Sequence, residues 1–237
     1  MSLAQASQRA SAHLKKASVI AEHKFFVLFL YLLATLVLYP YVEDKPVAYL
    51  IFRFFGGAGM LFAVYAINLR RTLLFFVLLL AIPAEWHHIV QFRAEAGAVS
   101  ILGIVLSFVF DTFIVVVIFR RVILEAQPNS ETILGALCIY LLVGFSFASI
   151  FGMVAALEPR AFYLDPLVNA HAIPRRFDMV YYSFATMTSL GAVGITPVSD
   201  QARSLSVIEA TIGVLYLAVL IARLVSGYRP PSAVERD

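Results

Sequence analysis

The residues of this chain with the clearest chemical potential lie in one stretch, residues 177–197. The stretch begins with aromatic side chains, continues through hydroxyl residues and ends in a loop that contains Gly191 and Gly194. Long apolar segments precede and follow it. Irregular backbone of this kind is tolerated at membrane depth only where protein buries it or water reaches it. Because glycine lets backbone carbonyls face a common axis, the expected chemistry is coordination of cations by carbonyl oxygens.

The sequence carries no recognisable catalytic or cofactor-binding pattern. It has no Ser/His/Asp grouping, no pair of carboxylates beside a base and no nucleotide-binding motif. Cys138 is the single cysteine, so the sequence predicts neither a disulfide within the chain nor a cysteine-rich metal site. His87 and His88 are adjacent and point to different faces of a helix, which favours interfacial residues over a metal or proton site. We expect no enzyme activity, no cofactor and no metal.

The composition is that of an integral membrane protein. Hydrophobic residues make up 61% of the 237 residues and charged residues 14%, against roughly 25% charged residues in soluble domains. Apolar segments of about 20 residues cross a bilayer as helices. The sequence therefore predicts an all-α membrane fold of six transmembrane helices, with a re-entrant helix and loop between the fifth and the sixth. The spans are expected at residues 25–41, 47–68, 72–90, 97–119, 133–156 and 205–225.

The distribution of charge predicts the orientation of these helices. With six spans both termini lie on one side, together with the basic residues that end the second, fourth and sixth spans. Positive charge marks the cytoplasmic side, so we expect both termini in the cytoplasm and the protein in the cell membrane. The opposite loops are richer in acidic residues but also carry Arg93, Arg160, Arg175 and Arg176. Membrane lipids are the expected partners, and no basic patch predicts a nucleic acid.

Short motifs bound the loop on both sides. Residues 181–189 read Tyr-Tyr-Ser-Phe-Ala-Thr-Met-Thr-Ser, residues 195–197 read Ile-Thr-Pro, and residues 202–205, Ala-Arg-Ser-Leu, lead into the apolar sixth span, which has Gly213 near its middle. In this order they resemble the pore domain of the tetrameric potassium-channel-like family, bacterial type. The resemblance implies a homotetramer in which each subunit supplies one strand of a selectivity filter. It also implies passive movement of monovalent cations, K+ or Na+.

The loop departs from the family pattern Thr-Val-Gly-Tyr-Gly-Asp. Aligned without gaps, Ala192 lacks the aromatic ring that braces the filter, Val193 replaces a glycine, and Gly194 removes a carboxylate. An alignment with a gap instead pairs Gly194 with the second family glycine. The resemblance implies a filter made of Thr188, Ser189, Leu190, Gly191, Ala192, Val193 and Gly194.

These departures leave three interpretations of the pore open. The inner carbonyl rings, at Ser189 and Leu190, are retained, whereas the outer rings differ from those of the family. They are selective potassium conduction, conduction with relaxed selectivity, and a non-conducting sensor or scaffold. Of the three, conduction with relaxed selectivity is favoured. A transporter is expected to have two related halves, each with an interrupted transmembrane helix. This sequence has only one such interruption, the loop at residues 177–197, which argues against a transporter.

The sixth span carries further expected pore residues. Gly213 is either a gating hinge or a glycine that allows close helix packing. Glu209, one turn earlier, is expected behind the loop and hydrogen-bonded to it, as a brace rather than an ion site. Helical spacing places four apolar side chains on one stripe. The resemblance implies that this stripe lines the inner pore, whereas on an ordinary helix the same stripe would only pack against neighbouring helices. The stripe consists of Val214, Leu217, Ile221 and Val225.

The remaining spans contain buried charges but no voltage sensor. Arg53 and Glu85 are expected at similar depth, where they form an intramembrane pair that pins two helices or serves a function. The fourth span has Asp111 and no repeating arginines, so gating by the usual voltage-sensing charges is not expected. The expected segments are a cytoplasmic tail at 1–24, a four-helix domain at 25–126, a pore domain at 127–227 and a cytoplasmic tail at 228–237.

Overall fold

The computed structural model describes residues 24–43, 45, 48, 98–124, 130–191 and 194–227. Several predicted features lie outside the described residues. They are the second and third spans apart from residue 48, the pair Arg53 and Glu85, the loop residues Ala192 and Val193, and nearly all of the predicted tails. The described elements are α1 (Lys24–Val42), α2 (Ala98–Leu124), α3 (Ser130–Leu157), β1 (Phe162–Leu164), α4 (Arg176–Met187), β2 (Ile195–Pro197) and α5 (Asp200–Gly227).

The long helices follow the apolar segments of the sequence. Three of those described are long and apolar enough to cross a membrane, namely Phe25–Val42, Thr132–Leu157 and Asp200–Ser226. They confirm a helical membrane protein, because uninterrupted apolar helices satisfy their own backbone hydrogen bonds in lipid. The total of six spans remains a prediction.

The helix α5 begins before the expected membrane span. That span, residues 205–225, follows hydropathy, and the resemblance places the start of the inner helix at residues 202–205, whereas α5 begins at Asp200. The hydroxyl of Ser199 accepts a hydrogen bond from the backbone N–H of Ala202 at 3.2 Å, as a helix N-cap does. Asp200 adds negative charge to the first turn, where the helix dipole favours it. This first turn is polar, so a search for apolar segments misses it.

The all-α expectation needs one correction, because β1 and β2 form a two-stranded antiparallel sheet. Phe162 lies opposite Pro197, and Leu164 lies opposite Ile195. The pairing continues where the N–H of Val198 donates to the carbonyl of Ala161 at 2.7 Å. Backbone groups outside helices need hydrogen-bond partners when they are buried, and the two segments that flank α4 supply them to each other.

Two apolar clusters hold the described helices together. The first joins α1, α2 and α3 through side chains such as Leu28, Ile114 and Leu142. Cys138 belongs to this cluster and is fully buried, as predicted for a small core residue. The second cluster surrounds α4 and joins it to α3, the sheet and α5. Its buried members are Phe151, Ala161, Phe162, Leu164, Met179, Tyr182, Ile195 and Ala202.

Candidate functional site

The N-terminal end of α4 is fixed by carboxylates from two parts of the chain. The backbone N–H of Arg175 donates to Asp178 Oδ2 at 2.7 Å, the reciprocal bond of a capping box. Glu43, just after α1, accepts a hydrogen bond from the backbone N–H of Phe177 at 3.3 Å. The rings of Tyr39 and Phe177 stack with centroids 6.1 Å apart. The first predicted span therefore contacts the start of α4 directly.

An aromatic triad anchors the middle of α4. Tyr182 meets Phe151 of α3 edge to face at 4.9 Å between ring centroids and Phe162 of β1 at 5.2 Å. Phe151 and Phe162 complete the triad at 5.8 Å. The hydroxyl of Tyr182 lies 2.6 Å from the hydroxyl of Ser206 on α5. The side chain of Tyr182 thus contacts α3, β1 and α5, and these contacts prevent rotation of α4 about its own axis.

The opposite face of α4 packs closely against α3 because Gly144 has no side chain. A β-carbon at Gly144 would lie 2.8 Å from Cζ of Phe184 and 3.0 Å from its two Cε atoms. Phe145 meets the same ring edge to face at 5.2 Å. A larger residue at position 144 would therefore require the Phe184 ring to shift.

A buried hydrogen-bond network lies behind the loop. The hydroxyl of Ser183 lies 2.7 Å from the carbonyl oxygen of Gly144 and 2.5 Å from Oε1 of Glu209. Ser183 and Glu209 are fully buried. The prediction that Glu209 hydrogen-bonds the pore-loop segment is therefore confirmed, and α3, α4 and α5 meet at one hydroxyl group. The second carboxylate oxygen, Oε2, is buried and has no hydrogen-bond partner among the described residues.

Gly213 lies against the C-terminal end of α4. A β-carbon there would collide with the carbonyl oxygen of Met187 and lie 2.7 Å from its Cγ. The hydroxyl of Tyr140 approaches the same carbonyl at 3.5 Å. Close packing, one of the two roles expected for Gly213, is what the geometry shows. Its role as a hinge remains a prediction.

The chain turns sharply after α4. Thr188 caps the helix and its hydroxyl donates to the carbonyl of Phe184 at 2.6 Å. Ser189 has a φ of 58°, and its N–H bonds the carbonyl of Thr186 at 3.0 Å. The N–H of Leu190 bonds the carbonyl of Ala185 at 2.9 Å. These two bonds and the left-handed residue form a Schellman motif.

The tip of the loop combines occupied N–H groups with unoccupied carbonyls. The N–H of Gly191 also bonds the carbonyl of Ala185, at 3.2 Å. No described group donates a hydrogen bond to the carbonyls of Ser189, Leu190 or Gly191. Leu190 is 76% exposed, and a β-carbon at Gly191 would meet no atom within 4 Å. The residues of the tip are therefore exposed in a single chain, and their carbonyls have no hydrogen-bond donor among the described residues.

The outer end of the loop is fastened to the segment before α4 by three residues, Asp165, Asn169 and Gly194, here called the outer clasp. The carbonyl of Gly194 accepts hydrogen bonds from Nδ2 of Asn169 at 2.7 Å and from the N–H of Asp165 at 2.9 Å. Gly194 has a φ of +82°, and a β-carbon there would lie 2.8 Å from Nδ2 of Asn169. Both the backbone angle and the available space thus require glycine at this position.

The predicted inner stripe lies on exposed faces of α5. Val214, Leu217, Ile221 and Val225 are between 38% and 69% exposed. On the opposite side, Tyr216 donates a hydrogen bond to the carbonyl of Ala136 at 2.7 Å and so ties α5 to α3. The stripe is therefore largely uncovered by the described helices, and lining of a pore by it remains a prediction.

Sequence reasoning missed several residues that position the site. Gly144, Asn169 and Ser206 carried no recognisable signal, because each matters only through a partner distant in sequence. Glu43 lies in the polar turn after the first predicted span, and nothing in the sequence indicates its contact with Phe177. Within the part of the chain that the structure describes, no group of three or more His, Cys, Asp or Glu side chains is arranged to hold a metal ion.

One known family is similar to the part of the chain that contains this site. Residues 131–228 match the family model described as an ion channel. This segment is similar to an ion-channel domain. It contains α3, α4, the loop and α5, and with the membrane-length helices it supports a transmembrane protein with a role in ion transport. No curated protein and no solved structure matches the chain.

Proposed function

We propose that this protein is the pore-forming subunit of a potassium-channel-like cation channel with relaxed selectivity. It moves monovalent cations passively across the cell membrane, and both termini lie in the cytoplasm. The observation that carries the proposal is the exposed loop at the end of α4, where the carbonyls of Ser189, Leu190 and Gly191 have no described hydrogen-bond donor. Carbonyl oxygens that replace the hydration shell are the ligands of a cation filter.

The direction of α4 supports the choice of cations over anions. A helix carries partial negative charge at its C-terminal end. In α4 that end is Met187, immediately before the loop, and the helix is rigidly held by Tyr182 and Ser183. The N–H groups of Leu190 and Gly191, which would attract an anion, are bonded to Ala185 instead. The loop therefore attracts K+ or Na+.

The proposed assembly is a homotetramer. One chain supplies one loop, which cannot enclose an axis, whereas four loops form a ring of carbonyls. The exposed apolar residues of α5, Val214 and Ile221 among them, are suited to face neighbouring subunits or the inner pore. Membrane lipids cover the remaining apolar surface.

Relaxed selectivity follows from the composition of the loop. The family pattern Thr-Val-Gly-Tyr-Gly-Asp places a glycine where this chain has Val193 and a tyrosine where it has Ala192. A β-branched residue disfavours the positive φ that glycine adopts freely. Fewer carbonyl rings in register reduce the discrimination between K+ and Na+.

One observation favours a second candidate, a non-conducting sensor or scaffold. The Schellman motif folds Leu190 and Gly191 back onto Ala185, whereas a filter strand is extended. A loop that stays in this conformation closes the path for ions.

The experiment is ion flux into liposomes that contain the purified protein, with K+, Na+ and Rb+ gradients compared. Gly191→Asp is the test variant and Gly191→Asn its matched control. Both side chains tolerate a positive φ, and the site has open space. Only the aspartate adds charge to the loop.

We expect wild-type flux of K+ and Na+ within about one order of magnitude of each other, because few ordered carbonyl rings remain. Gly191→Asp should change the flux and the ion ranking, and Gly191→Asn should change both less. Equal behaviour of the wild type and both variants would place the ion path elsewhere. A tetrameric protein that passes no ion under any gradient would support the sensor or scaffold.

A further inference from the structure

The carbonyl of Gly194 differs from those at the loop tip because both of its lone pairs are occupied. It accepts one hydrogen bond from the backbone N–H of Asp165 and one from the side-chain amide of Asn169. A carbonyl oxygen has two lone pairs. This oxygen is therefore satisfied within its own chain, on the side of the loop that faces the segment before α4.

We infer that the outer clasp withdraws the Gly194 carbonyl from the ion path, and that Asn169 is the positioning residue that sets where the ladder of carbonyl ligands ends. Selectivity among monovalent cations then depends on a side chain outside the loop. The inference rests on the proposed function, since it assigns Asn169 a part in the selectivity of the same loop.

The chemistry of asparagine fits this task. One hydrogen of its amide goes to Gly194, and the other goes to the carbonyl of Asp165 at 3.1 Å. Both donors are used, and both acceptors are backbone oxygens. Aspartate at this position has the same shape but cannot donate, and its charge would repel the two carbonyls.

The clasp is also rigidly supported. The carboxylate of Asp165 accepts the N–H of Leu167 at 2.9 Å, and the carbonyl of Asp165 accepts the N–H of Asn169 at 2.9 Å. Directly beyond Gly194, the chain enters β2, which pairs with β1. The tight turn at residues 165–169 therefore holds Gly194 from one side and the sheet holds it from the other.

The clasp supplies a support that this loop otherwise lacks. In the pattern that the loop resembles, a tyrosine ring braces the filter against its pore helix, and in the alignment without gaps this chain has Ala192 at that position. Asn169 instead holds the loop from the segment between β1 and α4. This predicts that the outer end of the loop responds to changes in that segment.

The test compares Asn169→Ala and Asn169→Asp with Leu167→Ala in the full-length protein. Leu167 lies on the same turn, but its side chain is 92% exposed. Two readouts are measured: amide hydrogen exchange of peptides that cover residues 162–169 and 194–199, and the K+/Na+ flux ratio in liposomes. Size-exclusion chromatography selects variants that retain the assembly of the wild type.

We expect both Asn169 variants to accelerate exchange by about fivefold or more, the equivalent of one net hydrogen bond. The flux ratio should shift by at least about twofold, with Asn169→Asp shifting it more than Asn169→Ala, and Leu167→Ala should match the wild type. Unchanged exchange in both variants overturns the clasp. Faster exchange with an unchanged flux ratio overturns its part in selectivity. A wild-type protein without ion flux overturns both the proposed function and the part of Asn169 in selectivity. In that case the hydrogen-exchange rates still decide whether Asn169 holds the loop.

Discussion

Gly213, in the middle of α5, lies directly against the backbone carbonyl of Met187, the last residue of α4. No other residue fits this contact, because a β-carbon would collide with the carbonyl oxygen. The contact joins the helix that is expected to line the pore to the point where the loop begins.

Gly213→Ala is expected to lower the free energy of unfolding by roughly 1–3 kcal/mol, the cost of overpacking a close contact. The measurement is thermal unfolding of the purified protein in detergent. Gly152→Ala is the matched control, since a β-carbon at Gly152 in α3 meets no atom within 4 Å. That change should be neutral or stabilising by up to about 1 kcal/mol. Equal unfolding temperatures would contradict the packing role, and lost flux at unchanged stability would instead indicate a hinge.

Ser183 and Glu209 are expected to stabilise the protein as a unit. Ser183→Ala removes the one described hydrogen bond of a fully buried carboxyl group and should cost about 1–3 kcal/mol. Glu209→Leu removes both carboxylate oxygens and keeps a side chain of similar size. A double-mutant cycle should give a coupling energy of about 0.5–3 kcal/mol, measured by unfolding in detergent.

The control for this cycle pairs Glu209→Leu with Thr211→Ala. Thr211 is exposed on the same helix, and its hydroxyl bonds the carbonyl of Val207 at 2.7 Å. These two changes should be additive within about 0.5 kcal/mol. If the cycle with Ser183 were additive as well, the network would not brace α4 against α5.

Glu43→Gln is expected to loosen the start of α4. The carboxylate accepts the N–H of Phe177 at the helix N-terminus, where negative charge is favoured by about 0.3–1 kcal/mol. The glutamine retains an acceptor oxygen and loses only the charge. Unfolding measured at low and at high salt should show a loss of stability that shrinks as salt screens the charge.

Glu158→Gln serves as the comparison for Glu43, because Glu158 is exposed just beyond α3. It should leave the unfolding temperature unchanged at both salt concentrations. The same small effect from both variants would mean that the contact between the end of α1 and α4 contributes no stability.

The described membrane helices and the ends of the loop could be predicted from the sequence. The ends of the predicted spans at residues 25–41 and 133–156 lie within about three residues of the ends of α1 and α3. Hydropathy suffices for this because the transfer of a segment into lipid depends on the segment itself. The capped first turn of α5 and the pairing of β1 with β2 could not be predicted from hydropathy, since they depend on a hydroxyl cap and on two segments separated by α4.

Composition and spacing are local properties, and they are sufficient to predict a helical membrane protein with a glycine-containing loop between two apolar helices. Three contacts become visible only in the folded chain: Gly144 makes room for Phe184, Ser183 meets Glu209, and Asn169 holds Gly194. Each of these contacts joins residues from different elements. Such contacts depend on the packing of helices against one another, and neither partner reveals them alone.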